Sequence, residues 1–228
     1  MSQPANVLIV SGLKREAAIV AGPGRTTVCG DAPILRARLA EAAILRPSLV
    51  VSWGICGGLD PRLRPGDLSL GAEVVSDEGA IRTDEAVTSS LALRLIGAGT
   101  RVVVERLAAA DAPVLTAAAK AELRRATGAA GVDMESLTAG RFALEQRIPF
   151  AILRAVADPA ERDLPPLVLK GVDSDGRINA VALIRELIRG PSQFAGLRAA
   201  ALDSRAAFKA LNRCRDFLPG LFLGLSPA

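Results

Sequence analysis

The sequence predicts an α/β fold built around a mixed or parallel sheet, and three observations lead to that prediction. Short aliphatic and β-branched runs alternate along the chain with helical patterns, which is the order expected of a sheet with covering helices. Half of the residues are apolar although only 3% are aromatic, which suits interiors packed from aliphatic side chains. The length of 228 residues fits one large domain and is short for two.

The first hundred residues supply four predicted strands separated by turn and cap residues. These aliphatic or β-branched runs are residues 7–10, 26–29, 49–52 and 68–75. Residues 11–15 read as a turn, and residues 16–21 as helical or extended. Asp31 is placed to cap a helix that carries Pro33 in its first turn and runs to Leu45. A further helix is expected over residues 88–95.

The second half adds the remaining elements. Strands are predicted over residues 101–105 and 149–153, with a loop over residues 108–112, and helices over residues 117–126, from about 134 to 146, 179–189 and 196–214. Thr116 is the expected N-cap of the helix that Gly128 ends. Spacing places Met134, Leu137 and Leu144 on one packed helical face. We expect one domain over residues 1–190, and a dependent C-terminal helical extension, basic and then apolar, over residues 191–228.

Composition excludes several classes of function. Histidine and tyrosine are absent, so a His-based acid–base pair, a His metal site and a Ser-His-Asp triad are ruled out. The net charge of +4 comes from dispersed arginines without interleaved aromatic residues, which argues against a nucleic-acid partner. Three cysteines without CxxC spacing, and no stretch with the pattern of a signal peptide or membrane span, predict a cytoplasmic protein. No metal site is predicted.

A glycine-rich segment follows the predicted strand at residues 49–52. Gly54, Gly57 and Gly58 allow a sharp turn and a close approach of backbone N–H groups to a ligand at the carboxyl end of a strand. The spacing is neither GxGxxG nor a P-loop. A tight turn without a ligand is the alternative interpretation.

Residues 132–136, Val-Asp-Met-Glu-Ser, are expected near the first turn of a helix. The Met134 thioether suits the apolar face of a ribose, and the Glu135 carboxylate suits its vicinal hydroxyls. The alternative is structural, because the helix macrodipole favours acidic residues in any first turn and a helical methionine is usually core filler.

Asp158 directly follows an apolar strand and precedes Pro159. This position places its carboxyl group at the same sheet edge as the glycine segment. Desolvation there could raise its pKa and make it a usable general acid. Ordinary turn capping by an Asp-Pro pair is the alternative.

Taken in order, these three motifs resemble those of the nucleoside phosphorylase and methylthioadenosine/adenosylhomocysteine nucleosidase superfamily. The resemblance covers about residues 7–160. It implies a three-layer α/β/α domain with a central mixed sheet, and a homo-oligomer, either a dimer or a trimer of dimers. The Ser-Trp-Gly-Ile-Cys-Gly-Gly form of residues 52–58 and the segment at residues 164–177 are similar to the hopanoid-associated phosphorylases, which act on adenosylhopane.

The resemblance also implies roles for individual residues. Asp158 would protonate purine N7, Met134 and Glu135 would hold the ribose, and Glu16 matches the residue that activates water in hydrolytic members. The backbone of the glycine segment would line the ribose and nucleophile region, through Gly54, Ile55, Cys56 and Gly57. No cofactor is implied, and inorganic phosphate is the alternative co-substrate to water. Arg15, Arg25 and Arg82 are candidate phosphate ligands, with a solvated surface role as the alternative.

Four positions depart from the family pattern. Ala157 stands where a serine commonly precedes the acid, and Ile55 stands where Ser or Thr is frequent. Pro113 and Val114 replace the residues that pack on the base. A more apolar and open pocket would follow, which suits a nucleoside with a large hydrocarbon 5′ substituent.

The primary prediction is therefore cleavage of the N-glycosidic bond of an adenine nucleoside, adenosylhopane, with release of adenine in hopanoid biosynthesis. The alternatives are a methylthioadenosine/adenosylhomocysteine nucleosidase and a noncatalytic purine-nucleoside binding protein. Between residues 189 and 216 there are six basic and two acidic residues, and an apolar run follows at residues 217–223. A peripheral membrane contact through this segment is a hypothesis. Packing of the same segment on the domain or on a partner subunit is the alternative.

Overall fold

The computed structural model describes residues 6–171, 173–177 and 194–215. Over these residues the chain forms eight strands: β1 Val7–Ser11, β2 Arg25–Cys29, β3 Leu49–Gly58, β4 Leu68–Ser76, β5 Gly79–Arg82, β6 Val102–Ala109, β7 Gly131–Asp133 and β8 Phe150–Asp158. The same residues form six α-helices: α1 Lys14–Val20, α2 Ala32–Ala42, α3 Glu85–Gly97, α4 Ala117–Thr127, α5 Ser136–Gln146 and α6 Phe194–Cys214. Short 3-10 turns cover Ala43–Leu45 and Pro166–Lys170.

All eight strands belong to one sheet in the order β2-β1-β3-β7-β6-β4-β5, with β8 inserted between β3 and β4. β3 pairs in parallel with β1 and β8 and antiparallel with β7. β4 pairs in parallel with β6 and antiparallel with β5 and β8. The pairings from β3 through β8, β4, β6 and β7 return to β3, so the middle of the sheet closes on itself. The predicted mixed sheet is confirmed.

Helices cover both faces of this sheet. Alternate residues of β1 point to opposite faces, as the two-residue period of a strand requires, so Val7 and Ile9 join one apolar cluster while Leu8 and Val10 join another. α1, α3 and α6 add side chains to the first cluster, among them Val20, Leu91 and Leu211. α2 and α5 add others to the second, among them Leu35, Leu39 and Phe142. The three-layer α/β/α arrangement is confirmed.

Several strands run further than the sequence indicated. β3 continues through Gly58, so the predicted glycine turn is wrong; the strand instead carries a register irregularity between Cys56 and Gly57. β8 extends to Asp158 and β6 to Ala109, which corrects the loop predicted over residues 108–112. Seven of the fifteen residues in these extensions are Gly or Ala, whose own strand preference is weak, and pairing with neighbouring strands stabilises them. β5 had no counterpart in the prediction.

The N-caps were predicted correctly, but some helix limits and faces were not. Asp31 accepts a hydrogen bond from Ile34 N, Thr116 accepts one from Ala119 N, and Gly128 ends α4 in the left-handed conformation. The turn predicted over residues 11–15 is wrong in part, because α1 already begins at Lys14.

α5 begins later than expected and buries a different face. Met134 and Glu135 precede it, in the link from β7, and Glu135 is the N-cap residue. The predicted packed face is wrong for Leu144, which is 67% exposed, because α5 packs through small residues and Phe142.

The predicted helix at residues 196–214 is confirmed as α6. It packs on β8, and its Ala207, Phe208 and Leu211 are buried in the first apolar cluster. This contact agrees with packing on the domain for residues 194–214. The predicted helix at residues 179–189 and the apolar run at residues 217–223 lie outside the described residues. None of the helices in the described ranges is long and apolar enough to cross a membrane.

Candidate functional site

A cavity of about 420 Å³ lies among the residues that end or follow five strands. Gly12 follows β1, residues 55–57 belong to the end of β3, Ala110 follows β6, Met134 follows β7, and Asp158 ends β8. Strand ends in α/β sheets are common binding positions because the helices that follow leave a crevice there.

The cavity brings together nearly all of the residues that the sequence singled out. Those that line it are Glu16, Ile55, Cys56, Gly57, Val114, Met134, Glu135 and Asp158. Gly54 is not part of the lining. A Cβ atom at Gly54 would lie 2.6 Å from both Glu16 Oε1 and Arg154 Nη1, so this glycine lets two buried charged groups approach β3.

The three arginines considered for phosphate lie elsewhere. The Arg15 guanidinium lies 4.0 Å from the centroid of the Phe208 ring, and Arg25 donates a hydrogen bond to Val20 O. Arg82 is exposed at the end of β5. None of the three lines the cavity.

Glu16 on α1 reaches the cavity with a side chain that backbone donors hold in place. The residue is 1% exposed. Its Oε2 accepts hydrogen bonds from Gly12 N at 3.1 Å and Leu13 N at 2.8 Å, and its Oε1 accepts one from Ile55 N at 2.8 Å. Burial raises the pKa of Glu16, while the Arg154 cation and the three backbone donors act in the opposite direction.

Arg154, in the middle of β8, is fully buried and holds together the acidic groups beneath the cavity. Its Nε lies 2.6 Å from Asp133 Oδ2, and its Nη2 lies 3.1 Å from Glu135 Oε2. Nη2 also donates hydrogen bonds to Ser52 Oγ at 2.7 Å and to Ser136 Oγ at 3.3 Å. The sequence analysis did not predict a role for Arg154, which was only part of a strand end. The feature that could have identified it is its position as a single cation inside an otherwise apolar strand.

Glu135 stands between Arg154 and the cavity. Burial raises its pKa to about 8, with the Asp133 and Glu16 carboxylates adding to the rise and Arg154 opposing it. A carboxyl group with this pKa is largely protonated at neutral pH, so it can both donate to and accept from hydroxyl groups.

Asp133 has a structural role beside Glu135. It accepts hydrogen bonds from Ser136 N at 3.1 Å and from Ser136 Oγ, and it pairs with Arg154. These bonds tie the end of β7 to the start of α5, which places the intervening Met134 and Glu135 at the cavity.

Asp158 faces the cavity from the end of β8 and is mostly buried. Its Oδ2 accepts a hydrogen bond from Lys120 Nζ. Burial raises the pKa of Asp158, and the Lys120 ammonium opposes that rise. Lys120 was not singled out by the sequence, because a lysine in a helix rich in Ala, Glu and Arg has the pattern of a solvated face.

The cavity lining combines apolar and acidic side chains. The apolar residues are Leu13, Ile55, Cys56, Ala110, Ala112, Pro113, Val114, Val132, Met134, Ala157, Leu164 and Val168. The acidic residues are Glu16, Asp31, Asp133, Glu135, Asp158 and Asp173, and the part of the lining that the structure describes contains no lysine or arginine. Among the described residues no group of three His, Cys, Asp or Glu side chains is arranged to hold a metal ion.

Residues 173–177 close one side of the cavity. Ser174 O accepts a hydrogen bond from Asp31 N at 2.9 Å, and Gly176 O accepts one from Lys14 N at 2.9 Å. Asp175 pairs with Arg38 at 2.9 Å. The segment is thereby attached to the first turns of α1 and α2, and its Ser174 lines the cavity.

Comparison with known families gives a match to the model described as the phosphorylase superfamily, over residues 4–189. The chain belongs to the phosphorylase superfamily. This confirms the superfamily that the sequence motifs resembled. Comparison with curated proteins gives no match.

Three of the solved structures with a similar fold come from Helicobacter pylori. The 5′-methylthioadenosine/S-adenosylhomocysteine nucleosidase aligns with a TM-score of 0.72 at 12% identity, covering 98% of this chain and 100% of that one. The futalosine hydrolase aligns with a TM-score of 0.70 at 12% identity, covering 97% and 99%. A point mutant of the former enzyme, with 5′-methylthioadenosine in its active site, aligns with a TM-score of 0.69 at 12% identity, covering 98% and 100%. These likenesses establish the fold.

Proposed function

We propose that this protein hydrolyses the N-glycosidic bond of an adenine nucleoside, and that the nucleoside is adenosylhopane, cleaved in hopanoid biosynthesis. The observation that carries the proposal is the convergence of Glu16, Glu135 and Asp158 on one cavity of about 420 Å³. An N-glycosidase needs a group for the leaving base, a group for the sugar and a group for the nucleophile. Three carboxyl groups from three separate elements are available for those tasks.

Asp158 donates a proton to N7 of the base while the bond from C1′ to N9 breaks, so adenine leaves as a neutral molecule. The raised pKa of Asp158 increases the fraction that carries this proton near neutral pH. Glu135 binds the ribose hydroxyls, and Met134 lies against the sugar. Water then forms the new bond to C1′ and gives its proton to Glu16, whose raised pKa makes it a stronger base once ionised.

Water is a better nucleophile for this cavity than phosphate. The six acidic side chains of the lining face no lysine or arginine within its described part, and the Arg154 cation behind it is already paired with Asp133 and Glu135. A phosphate dianion would therefore find no lysine or arginine in the described lining to pair with, and burial of an unpaired charge is costly. Hydrolysis involves no such cost.

The apolar wall supports a hydrocarbon substituent on the nucleoside. Leu164 and Val168 lie beyond Asp158 in the chain, and Pro113 and Val114 contribute from the segment before α4. Burial of hydrocarbon against such a wall stabilises binding by about 25 cal/mol for each Å² removed from water. Adenosylhopane combines an adenine nucleoside with a large hydrocarbon and therefore suits a lining that contains both carboxyl groups and apolar side chains.

A second candidate is a 5′-methylthioadenosine/S-adenosylhomocysteine nucleosidase. The observation that favours it is the alignment of the chain, almost end to end, with the Helicobacter enzyme that carries 5′-methylthioadenosine in its active site. A third candidate, a noncatalytic nucleoside binder, would use the same cavity without turnover.

Adenine release tests these proposals. The full-length protein is incubated with 5′-methylthioadenosine and with a long-chain 5′-alkyl adenosine, each with and without inorganic phosphate, and adenine is quantified by chromatography. We expect release without phosphate and a higher kcat/KM for the alkyl nucleoside. Strict dependence on phosphate would contradict hydrolysis, and a preference for 5′-methylthioadenosine would favour the second candidate. Binding without any release would favour the third.

Replacement of Asp158 tests its proposed role as the acid. Asp158→Asn should lower kcat for adenine release by about 10² to 10⁴ because the leaving base loses its proton donor. Circular dichroism of the variant checks that the fold is intact. A folded Asp158→Asn protein with the wild-type kcat would remove Asp158 from this role.

Location and assembly are further parts of the proposed function. We propose a cytoplasmic homo-oligomer, a dimer or a trimer of dimers, in which the basic C-terminal segment brings the protein to membranes that hold the lipid-like substrate. Arg198, Arg205, Lys209 and Arg213 are exposed on α6, which supports such a contact. Flotation with anionic liposomes tests it, and a full-length protein that stays in the unbound fraction would contradict it.

A further inference from the structure

Lys120 is buried in a way that its helix does not explain. Of the eleven residues of α4, Lys120 alone is buried, with a side chain that is 1% exposed. Lysine is almost never fully buried unless its ammonium is paired, since desolvation of the charge is costly. The position therefore requires partners inside the protein.

All three N–H donors of the ammonium have acceptors on one short segment. Lys120 Nζ donates to Asp158 Oδ2, to Pro159 O at 2.9 Å and to Arg162 O at 3.0 Å. A lysine ammonium has three donors and no acceptor, so its hydrogen-bonding capacity is fully used. The chain from the end of β8 to Arg162 is thereby wrapped around one cation.

Two further hydrogen bonds attach the same segment to the start of α4. Asp163 Oδ1 accepts a hydrogen bond from Ala117 N at 2.7 Å, and Leu164 N donates to Leu115 O at 2.7 Å. Thr116 caps the helix. α4 and the segment after β8 therefore form one unit, and the Lys120 ammonium is held at a fixed place within it.

The consequence for Asp158 is a fixed carboxyl group. Among the described residues, Lys120 is the only side chain that hydrogen-bonds to Asp158, and it engages Oδ2. Ala157, which precedes the acid, has no side-chain donor. Oδ1 is left for a ligand in the cavity that Asp158 lines.

We infer that Lys120 is a positioning residue that acts through Asp158, holding Oδ2 so that Oδ1 meets the adenine base. This inference rests on the proposed function, because it assigns Asp158 to the base. A purely structural anchor would connect α4 to the segment after β8 without influencing the ligand.

The pH dependence of activity reflects the protonation of Asp158, which depends on the other charged and titratable groups around it. The charged or titratable side chains that face it are Lys120 from α4, Arg162 from the segment after β8, Asp203 from α6 and Cys56 from β3. Lys120 is the strongest of those that favour the ionised carboxylate. Its removal should therefore let Asp158 keep its proton to higher pH.

The test uses Lys120→Met, which keeps the apolar stem without the charge, and Lys120→Gln as a second variant if Met prevents folding. Adenine release from 5′-methylthioadenosine is measured between pH 5 and 9. We expect kcat to fall by at least about tenfold, which is part of the contribution of acid catalysis, and the alkaline limb of the pH profile to move to higher pH. Thr116→Ala is the structural control: it should lower the thermal midpoint without moving that limb.

A double variant isolates the route through Asp158. If Lys120 acts through the acid, Lys120→Met should cost no further activity in an Asp158→Asn background, since the two changes remove one interaction. A further loss of activity in the double variant, or an unmoved alkaline limb in Lys120→Met, would overturn the inference.

Calorimetric titration with adenine separates this inference from the proposed function because it requires no turnover. We expect Lys120→Met and Asp158→Asn to weaken adenine binding to a similar extent. A wild-type protein that binds adenine but releases none from nucleosides would overturn the proposed function alone. Equal adenine affinity of wild type and Lys120→Met would overturn the role of Lys120 alone.

Discussion

At the scale of single residues, the cavity depends on how buried charges are shared. The Arg154 guanidinium contacts Asp133 and Glu135, and its charge also reaches Glu16 behind Gly54. One cation thus faces three carboxyl groups, and it cannot stabilise the ionised form of all three. Burial of Glu135, and to a lesser extent this imbalance, explain why its pKa is raised although an arginine lies beside it.

Arg154→Met should destabilise the protein strongly. Removal of the cation leaves buried carboxyl groups without a partner, which typically costs about 3 to 5 kcal/mol in the free energy of unfolding. Urea unfolding of wild type and variant measures the difference. Arg141→Gln is the control, because the accessible pair of Arg141 with Glu78 should contribute less than about 1 kcal/mol. Equal losses in the two variants would contradict the structural importance of Arg154.

Stability should depend on pH through Glu135. Near pH 4.5, its ordinary pKa, the carboxyl group starts to lose its proton in the unfolded chain, but in the folded chain it keeps the proton up to about pH 8. The free energy of unfolding should therefore fall as pH rises from 5 to 8. The Glu135→Gln variant has no ionisable group at this position. Between pH 5 and 8 its free energy of unfolding should therefore fall by at least about 1 kcal/mol less than that of the wild type. Parallel pH profiles of urea unfolding for the two proteins would contradict this prediction.

At the scale of elements, the end of β3 shows why a strand can need glycine. The strand pairs with β8 on one side and β7 on the other, and Glu16 and Arg154 approach its backbone at Gly54. A side chain at Gly54 would displace Glu16 from the cavity lining and Arg154 from its place behind the cavity. The glycines were recognised in the sequence as sites of close approach, but the approaching groups belong to the protein itself at Gly54.

Gly54→Ala tests this arrangement. Its new methyl group would lie 2.6 Å from Glu16 Oε1 and Arg154 Nη1, and overpacking of this kind costs about 1 to 3 kcal/mol. Adenine release should fall as well, because Glu16 must move. Gly97→Ala at the end of α3, where a methyl group meets nothing within 4 Å, is the control and should change stability by less than about 1 kcal/mol. A Gly54→Ala protein as stable and active as wild type would contradict the role given to this glycine.

At the scale of the whole molecule, the C-terminal helix completes a core that begins at the first strand. Phe208 and Leu211 of α6 belong to the same apolar cluster as Val7 and Ile9 of β1. The helix also contacts β8, which carries Arg154 and ends in Asp158. Folding of the site is therefore coupled to residues far beyond the last one that lines the cavity.

Leu211→Ala should reveal this coupling. The buried leucine leaves a cavity when truncated, which typically costs about 2 to 5 kcal/mol in the free energy of unfolding. Leu202→Ala on the same helix is the matched control, because Leu202 is 52% exposed and its truncation should cost less than about 0.5 kcal/mol. Urea unfolding of both variants decides the matter. Similar stabilities of the two variants would show that α6 is peripheral to the fold.

The sequence by itself determined the alternation of strands and helices, the caps at Asp31 and Thr116, and the chemical groups of the cavity. These features follow from local patterns, since propensity, periodicity and capping each act over a few residues. Met134, Glu135 and Asp158 could be selected because each stands in a recognisable short motif, and Glu16 could be selected through the resemblance to the family.

Only the tertiary structure decided which charges share a partner. Arg154 and Lys120 have unremarkable neighbours in the sequence, and their roles arise from acidic and carbonyl groups that lie far from them in the chain. The same holds for the Gly-rich end of β3, whose strand conformation depends on pairing with β7 and β8. Desolvation and long-range pairing set these properties, and neither is encoded in a local pattern.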